Sequence, residues 1–125
     1  MDPTSPQRFR QGSREDPRHE TFQDDEVIQR VLEPLDDPDC LAILDAIDEE
    51  SLSAREIAEV CDLPLSTAYR KLELLADAGI VSQGVRLSTS GNHTSEYERL
   101  VDDVKLSVSP DGFTLRISRR DVDHR

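Results

Sequence analysis

The hydrophobic residues in the first two thirds of the chain recur with the spacing of amphipathic helices. The first such stretch ends near Pro34, which predicts a helix over residues 25–33. The sequence DDPD at residues 36–39 then supplies the N-cap and the first-turn proline of a second helix, which ends near Asp48. The apolar side of the first helix is formed by Val27, Ile28, Val31 and Leu32.

Two further helices are predicted from their end signals. Ser53 and Glu56 have the spacing of a capping box, so a third helix begins directly after Ser53. A tight turn at Asp62 leads into LPLSTAYRKLELLADAGIV, whose apolar residues occupy one arc of a fourth helix over residues 64–78. Gly79 ends this helix, because glycine adopts a left-handed backbone at little cost.

After the fourth helix the hydrophobic period changes to two, which is the spacing of β-strands. Residues 84–101 form one predicted hairpin around STSGNHTS, and residues 103–119 form a second one around SPDG. Residues 1–23 lack an apolar period and are predicted to be a disordered polar tail, which leaves residues 24–125 as one domain. The order of elements predicts an α+β fold, a winged helix-turn-helix with an additional N-terminal helix and a second C-terminal β-hairpin.

A family resemblance rests on the segment SAREIAEVCDLPLSTAYRKLELLADAGIV and on GNHTSEYERL as the wing. These residues resemble the winged-helix transcriptional regulators of the ArsR type. The resemblance implies a sequence-specific DNA-binding regulator, often a homodimer, that places the helix at residues 64–78 in the major groove and touches flanking DNA with the wing. The cysteine pair of metal-sensing members is not reproduced by Cys61 alone, and the usual C-terminal dimerising helix is replaced by the second hairpin. No metal site and no cofactor are therefore predicted.

Eight residues are predicted to contact double-stranded DNA: Ser66, Thr67, Tyr69, Arg70, Lys71, Arg86, Asn92 and His93. Arg70 is the strongest candidate, because arginine pairs with guanine through two hydrogen bonds, although it could instead pair with Glu73. Ser66 and Thr67 could contact phosphate or serve as helix caps. Tyr69 could contact a base or sugar or lie flat on a neighbouring helix, and SGNHT could be a polar turn without a binding role.

A homodimer is predicted because one small winged helix buries too little DNA for sharp specificity. The apolar stripe of the first helix, with Val27, Ile28, Val31 and Leu32, is larger than a short helix needs to cover one side of the core. This stripe is the predicted contact, together with the second hairpin as a further candidate.

The charge of the chain is strongly acidic and unevenly distributed. The formal net charge is −12, and residues 1–63 carry all of it, with eighteen acidic and six basic side chains. Residues 64–100 are neutral, and only two lysines occur in the chain. This composition resembles that of proteins from salt-loving archaea. The alternative is an ordinary acidic domain that binds another protein.

Other classes of function find little support in the sequence. The chain has no apolar run of membrane-spanning length and no hydrophobic segment near its N-terminus, so we expect a cytoplasmic protein. A glycine-rich phosphate loop and a nucleophile elbow are both absent, so an enzyme is not expected. The main alternative is a winged helix that contacts only proteins, as an adaptor of the transcription machinery. Cys40 and Cys61 are expected to be small core residues.

Overall fold

The computed structural model describes residues 18–87, 91 and 93–120. Four helices and six strands follow one another along this part of the chain. The helices are α1 (Asp25–Leu35), α2 (Pro38–Ala46), α3 (Ala54–Cys61) and α4 (Leu65–Asp77). The strands are β1 (His19–Phe22), β2 (Leu52–Ser53), β3 (Val81–Arg86), β4 (Thr94–Arg99), β5 (Val101–Ser109) and β6 (Gly112–Arg119).

The predicted helix boundaries are confirmed at most ends. In α3, Ser53 Oγ accepts from the N–H of Glu56 at 3.1 Å, and Glu56 Oε1 accepts from the N–H of Ser53 at 2.8 Å. Gly79, with φ +77°, follows α4, and the N–H of Ile80 donates to the carbonyl of Leu75 as expected for a left-handed cap. The first helix extends beyond its predicted end. It includes Pro34 and stops one residue later, at Leu35.

Two antiparallel three-stranded sheets flank the helices. One sheet has the order β2-β4-β3 and contains the predicted wing, whose strands begin at Val81 rather than at residue 84. The other has the order β1-β6-β5 and contains the second hairpin, which begins at Val101 rather than at residue 103. Asp48 lies between the two hairpins, where it accepts hydrogen bonds from Arg99 and Arg120. These hydrogen bonds therefore connect both hairpins to the turn that follows α2.

The strand β1 was not predicted, since residues 19–22 fall within the predicted polar tail. Its sequence HETF has one large apolar residue, Phe22, and therefore gives little local signal. The strand forms because it pairs with β6, opposite Leu115 and Ile117, which are both buried. Residues 1–17 of the predicted tail lie outside the described residues.

The predicted dimer contact on α1 is wrong for two of its four residues. Ile28 is 4% exposed and Val31 is 3% exposed, and both belong to the core of this chain. The reason is that α1 packs against α2, α4 and β6, which together close over the stripe. Val27 and Leu32 remain half-buried at its edges. On α2, Leu41 is 49% exposed, whereas Cys40, Ile43 and Leu44 are buried.

Candidate nucleic-acid interface

The outward side of α4 carries a stripe of exposed polar residues. Ser66 and Arg70 lie in its N-terminal half, and Glu73 and Asp77 lie in its C-terminal half. The opposite side, with Ala68, Leu72 and Leu75, is buried in the core and fixes the orientation of the stripe. The stripe therefore has a cation near its N-terminal end and carboxylates near its C-terminal end.

The N-terminus of α4 is open. Its N-cap is Pro64, and no side chain caps the helix with a hydrogen bond. The first-turn N–H groups of a helix have no partner within the helix and carry partial positive charge. Ser66 and Thr67 thus do not cap α4, which removes one of the two roles considered for them. This end of the helix presents backbone donors suited to an anion such as phosphate.

Two arginines of the helix pair α3 and α4 have no ion-pair partner within the part of the chain that the structure describes. These are Arg70 and Arg55, and both are exposed. The considered pairing of Arg70 with Glu73 does not occur. Arg55 was not among the predicted contacts, although its position in the sequence, two residues after the N-cap of a helix, is unusual for a basic residue. It lies in the first turn of α3, where a cation opposes the helix dipole and a carboxylate would be favoured.

The environment of Lys71 differs from the one predicted, because its side chain pairs with a carboxylate of the same chain. Its ammonium donates to a carboxylate oxygen of Asp37, and its side chain is only 16% exposed. Asp37 also accepts from the N–H of Asp39 at 2.8 Å as the N-cap of α2. The hydrogen bond from Lys71 lowers the pKa of Asp37, and the same bond raises the pKa of Lys71. Lys71 therefore holds α4 against the start of α2, and the expected contact with phosphate does not fit this position.

Arg86 also has a different environment from the one predicted. Its guanidinium donates to Glu96 at 2.8 Å and to Glu56 at 3.1 Å. Because Glu56 is part of the capping box of α3, these bonds join the end of β3 that leads into the wing loop to the N-terminus of that helix. They also raise the pKa of Arg86, chiefly through the bond to Glu56. Arg86 is thus a positioning residue for the wing, since a DNA phosphate would have to compete with two carboxylates.

The tip of the wing is only partly described. His93 is exposed there, and Asn92 lies outside the described residues. Val85 and Leu87 are 61% and 75% exposed, so the hairpin presents apolar as well as polar side chains. No lysine or arginine occurs between residues 87 and 98. The wing therefore offers hydrogen bonds and apolar contacts rather than positive charge.

Tyr69 is an exposed residue of α4. Its side chain is 52% exposed, and it neighbours Tyr97 of β4, which is buried. Burial, and to a lesser extent the proximity of Tyr69, raises the pKa of Tyr97. About half of the Tyr69 side chain is therefore accessible to a ligand.

The described residues show no cluster of three or more His, Cys, Asp or Glu side chains that could hold a metal ion. Cys40 is fully buried, and burial raises the pKa of its thiol to about 11. Cys61 is half-buried, with its thiol pKa also raised by burial. The described helices are all too short or too polar to span a membrane.

The helix arrangement can now be compared with known families. Residues 35–83 match the family model of a helix-turn-helix domain. This range covers α2, the helix pair α3 and α4, and the start of β3. A comparison with curated proteins gives no match.

Several solved structures have a similar fold, and a winged helix-turn-helix domain is among them. A possible transcriptional regulatory protein from Mycobacterium bovis (fragment 1–100) is 26% identical, with a TM-score of 0.51, over 59% of this chain and 74% of that one. A homodimeric winged helix-turn-helix DNA-binding domain from the same organism, a possible ArsR-family regulator, is 24% identical, with a TM-score of 0.50, over 59% of this chain and 64% of that one. NolR from Sinorhizobium fredii is 24% identical, with a TM-score of 0.50, over 59% of this chain and 69% of that one. The predicted α+β winged helix-turn-helix fold is confirmed.

Proposed function

We propose that this protein is a sequence-specific DNA-binding transcriptional regulator, which reads the major groove with α4 and touches flanking DNA with the wing. The observation that carries the proposal is Arg70, which is exposed on the second turn of α4 and has no ion-pair partner among the described residues. The helix-turn-helix match over residues 35–83 and the likeness to the 26% identical Mycobacterium bovis regulator support it.

The proposed contacts divide into two groups by the chemistry that each residue offers. Arg70 pairs with a base edge, and Tyr69 contacts the neighbouring base or sugar. Arg55 meets the phosphate backbone, as the first helix of such a pair commonly crosses it. The hydroxyl groups of Ser66 and Thr67 and the open backbone of α4 add contacts to phosphate. At the wing, Asn92 and His93 touch DNA beside the groove.

Lys71 and Arg86 have a different role in this proposal. Each is held by carboxylates of the same chain, Lys71 by Asp37 and Arg86 by Glu56 and Glu96. They set the positions of α4 and of the wing relative to the rest of the domain. The specific contacts then come from side chains that the fold leaves unpaired.

We further propose that the regulator acts as a homodimer. A dimer doubles the DNA site and the number of base contacts, which a single small winged helix needs for sharp specificity. Since Ile28 and Val31 are buried within one chain, the contact must use other residues than the centre of the α1 stripe.

The experiment that tests the DNA-reading role uses duplexes selected from a random pool by the full chain. Fluorescence anisotropy then compares the wild type with Arg70→Ala on the selected duplex. We expect a loss of about 1–3 kcal/mol in binding free energy, because one bidentate base contact is removed. The matched control is Arg30→Ala, which removes from α1 an exposed arginine that has no partner in the described part of the chain.

Two outcomes would overturn the proposal. If Arg70→Ala binds the selected duplex as tightly as the wild type does, α4 is not the reading helix. If no duplex is enriched from the random pool, the chain does not read sequence, and the adaptor function that uses only protein contacts becomes the better account.

A further inference from the structure

The second hairpin has an open edge, and its apolar face is exposed near the hairpin tip, whereas Leu115 and Ile117 on the same face are buried in the core. The strand β5 lies at the edge of its sheet and is paired only with β6. Three large apolar side chains near the hairpin tip are exposed: Leu106 (42%), Val108 (70%) and Phe113 (50%). All three lie on one face of the sheet. Leu106 and Val108 are two positions apart on the same strand, and Phe113 stands directly opposite Val108 on β6. A long, exposed, apolar edge strand is unusual in a monomer and favours pairing with another strand.

The direction of the backbone groups on β5 follows from the hydrogen-bond alternation of the sheet. The N–H of Arg119 donates to the carbonyl of Arg18 at 2.8 Å, so the odd-numbered residues of β6 direct their backbone groups toward the β1 side. The even-numbered residues of β6 therefore bond to β5, where they stand opposite odd-numbered residues. The backbone groups that remain on the open edge belong to Val104, Leu106 and Val108.

We propose that β5 pairs with β5 of a second copy of this chain in an antiparallel register centred on Leu106. The inference deepens the proposed function, since it supplies the contact for the proposed homodimer. In this register Leu106 faces its own counterpart, and Val104 and Val108 face each other across the two-fold axis. The apolar face then continues from one sheet to the other.

The alternative registers are less favourable for reasons visible on the strand. A shift to a centre at Val104 brings the irregularity between Val101 and Asp103 into the pairing and places Asp102 opposite Leu106. A shift to a centre at Val108 brings Pro110, which has no N–H, into the hydrogen-bonded pairs. Any shift by a single residue sends the two apolar faces to opposite sides of the sheet.

The charges of β5 are also compatible with pairing to itself. On its polar face, the proposed register places Lys105 opposite Ser107 and Asp103 opposite Ser109, so no two like charges meet. The other edge of the same sheet is a weaker candidate, because β1 has only four residues and carries Glu20 on the apolar side. A second copy therefore matches the β5 edge in register, in polarity and in charge.

Cysteine cross-linking tests the register without DNA. In a Cys61→Ser background, Leu106→Cys places two thiols opposite each other at a Cα separation of about 5.5 Å, which a disulfide can bridge. We expect a covalent dimer on mild oxidation. The matched control is Ser107→Cys, whose counterpart lies two positions away along the partner strand. Efficient cross-linking at residue 107, or at neither residue, would overturn the register.

Sedimentation equilibrium tests the surface independently. Val108→Lys places an ammonium group on the apolar side and should weaken the dimer about tenfold or more. Thr114→Lys adds the same charge to the other face, on β6, and should leave the dimer unchanged. Circular dichroism checks that both variants fold. A wild type that stays monomeric at tens of micromolar would overturn the inference, whereas duplex selection would separately decide DNA reading.

Discussion

The affinity of this protein for its DNA site should fall less steeply with salt than the affinity of a protein that makes six or more phosphate contacts. Each phosphate that a protein cation neutralises lowers the slope of log K against log salt by about 0.9. In the described part of α3, α4 and the wing, only Arg55 and Arg70 lack an ion-pair partner. A homodimer would thus have four free arginines, and two of them would read bases.

Two phosphate contacts by Arg55 of both copies give a slope of about −1.8, and four contacts give about −3.6. Between 0.2 and 1 M potassium chloride, the affinity should therefore fall about 20-fold in the first case and about 300-fold in the second. The acidic side chains of residues 1–63 should flatten the slope further, because strong salt screens their repulsion of DNA.

The assay is an anisotropy titration of the selected duplex across this salt range, with circular dichroism to confirm folding at each step. Arg55→Gln should reduce the steepness of the slope by about 1.8 for a dimer and weaken all duplexes alike. Arg30→Gln on α1 is the matched control and should leave the slope unchanged. A wild-type slope of about −6 or steeper would refute the reasoning, since it requires more phosphate contacts than the unpaired arginines provide.

Three further predictions concern the fold. Ile57→Ala should lower the free energy of unfolding by about 2–5 kcal/mol in urea titrations, because Ile57 is fully buried, whereas Ile57→Val should cost about 0.5–1.5 kcal/mol. At pH 8, a thiol pKa of about 11 instead of 9.0 leaves Cys40 with about a hundredth of the usual thiolate fraction. Iodoacetamide should therefore label Cys61 before Cys40, as followed by mass spectrometry. Equal labelling of the two thiols would contradict the burial of Cys40. The pKa of Asp37 is lower in the folded than in the unfolded chain, so its stabilising effect is present above the ordinary pKa and is lost as pH falls through the lowered value. Lys71→Met should therefore reduce the loss of stability on acidification, with Lys105→Met, at an exposed lysine, as the control.

The helices could be predicted from sequence because their signals are local. The capping box of Ser53 and Glu56 and the left-handed glycine after α4 each involve residues within a few positions of one another. The apolar arc of α4 is equally local, and Leu72 and Leu75 are buried as expected. These features decide helix ends whatever the rest of the chain does.

The sequence-based predictions differed from the structure where a strand, a buried surface or an ion pair depends on contacts between residues far apart in the chain. The short strand β1 exists only because β6 lies beside it, and the stripe of α1 is covered because α2, α4 and β6 pack on it. The ion pairs of Lys71 with Asp37 and of Arg86 with Glu56 join residues about thirty positions apart. No periodicity along the chain indicates such partners, so the pattern alone does not distinguish a paired charged residue on a polar arc from an unpaired one.

The acidic composition makes an unpaired cation informative in this protein. Carboxylates outnumber basic side chains by twelve, so a cation readily finds a partner, as Lys71 and Arg86 do. Within the residues that the structure describes, Arg55 and Arg70 have no ion-pair partner, although Glu59 and Glu73 lie four and three residues further along the same helices. An arginine that remains free under these conditions, on the exposed side of a helix-turn-helix, is available to an external anion. The excess of acid is thus compatible with the proposed DNA contacts of these two arginines, because their position on the helix-turn-helix and their lack of a carboxylate partner coincide.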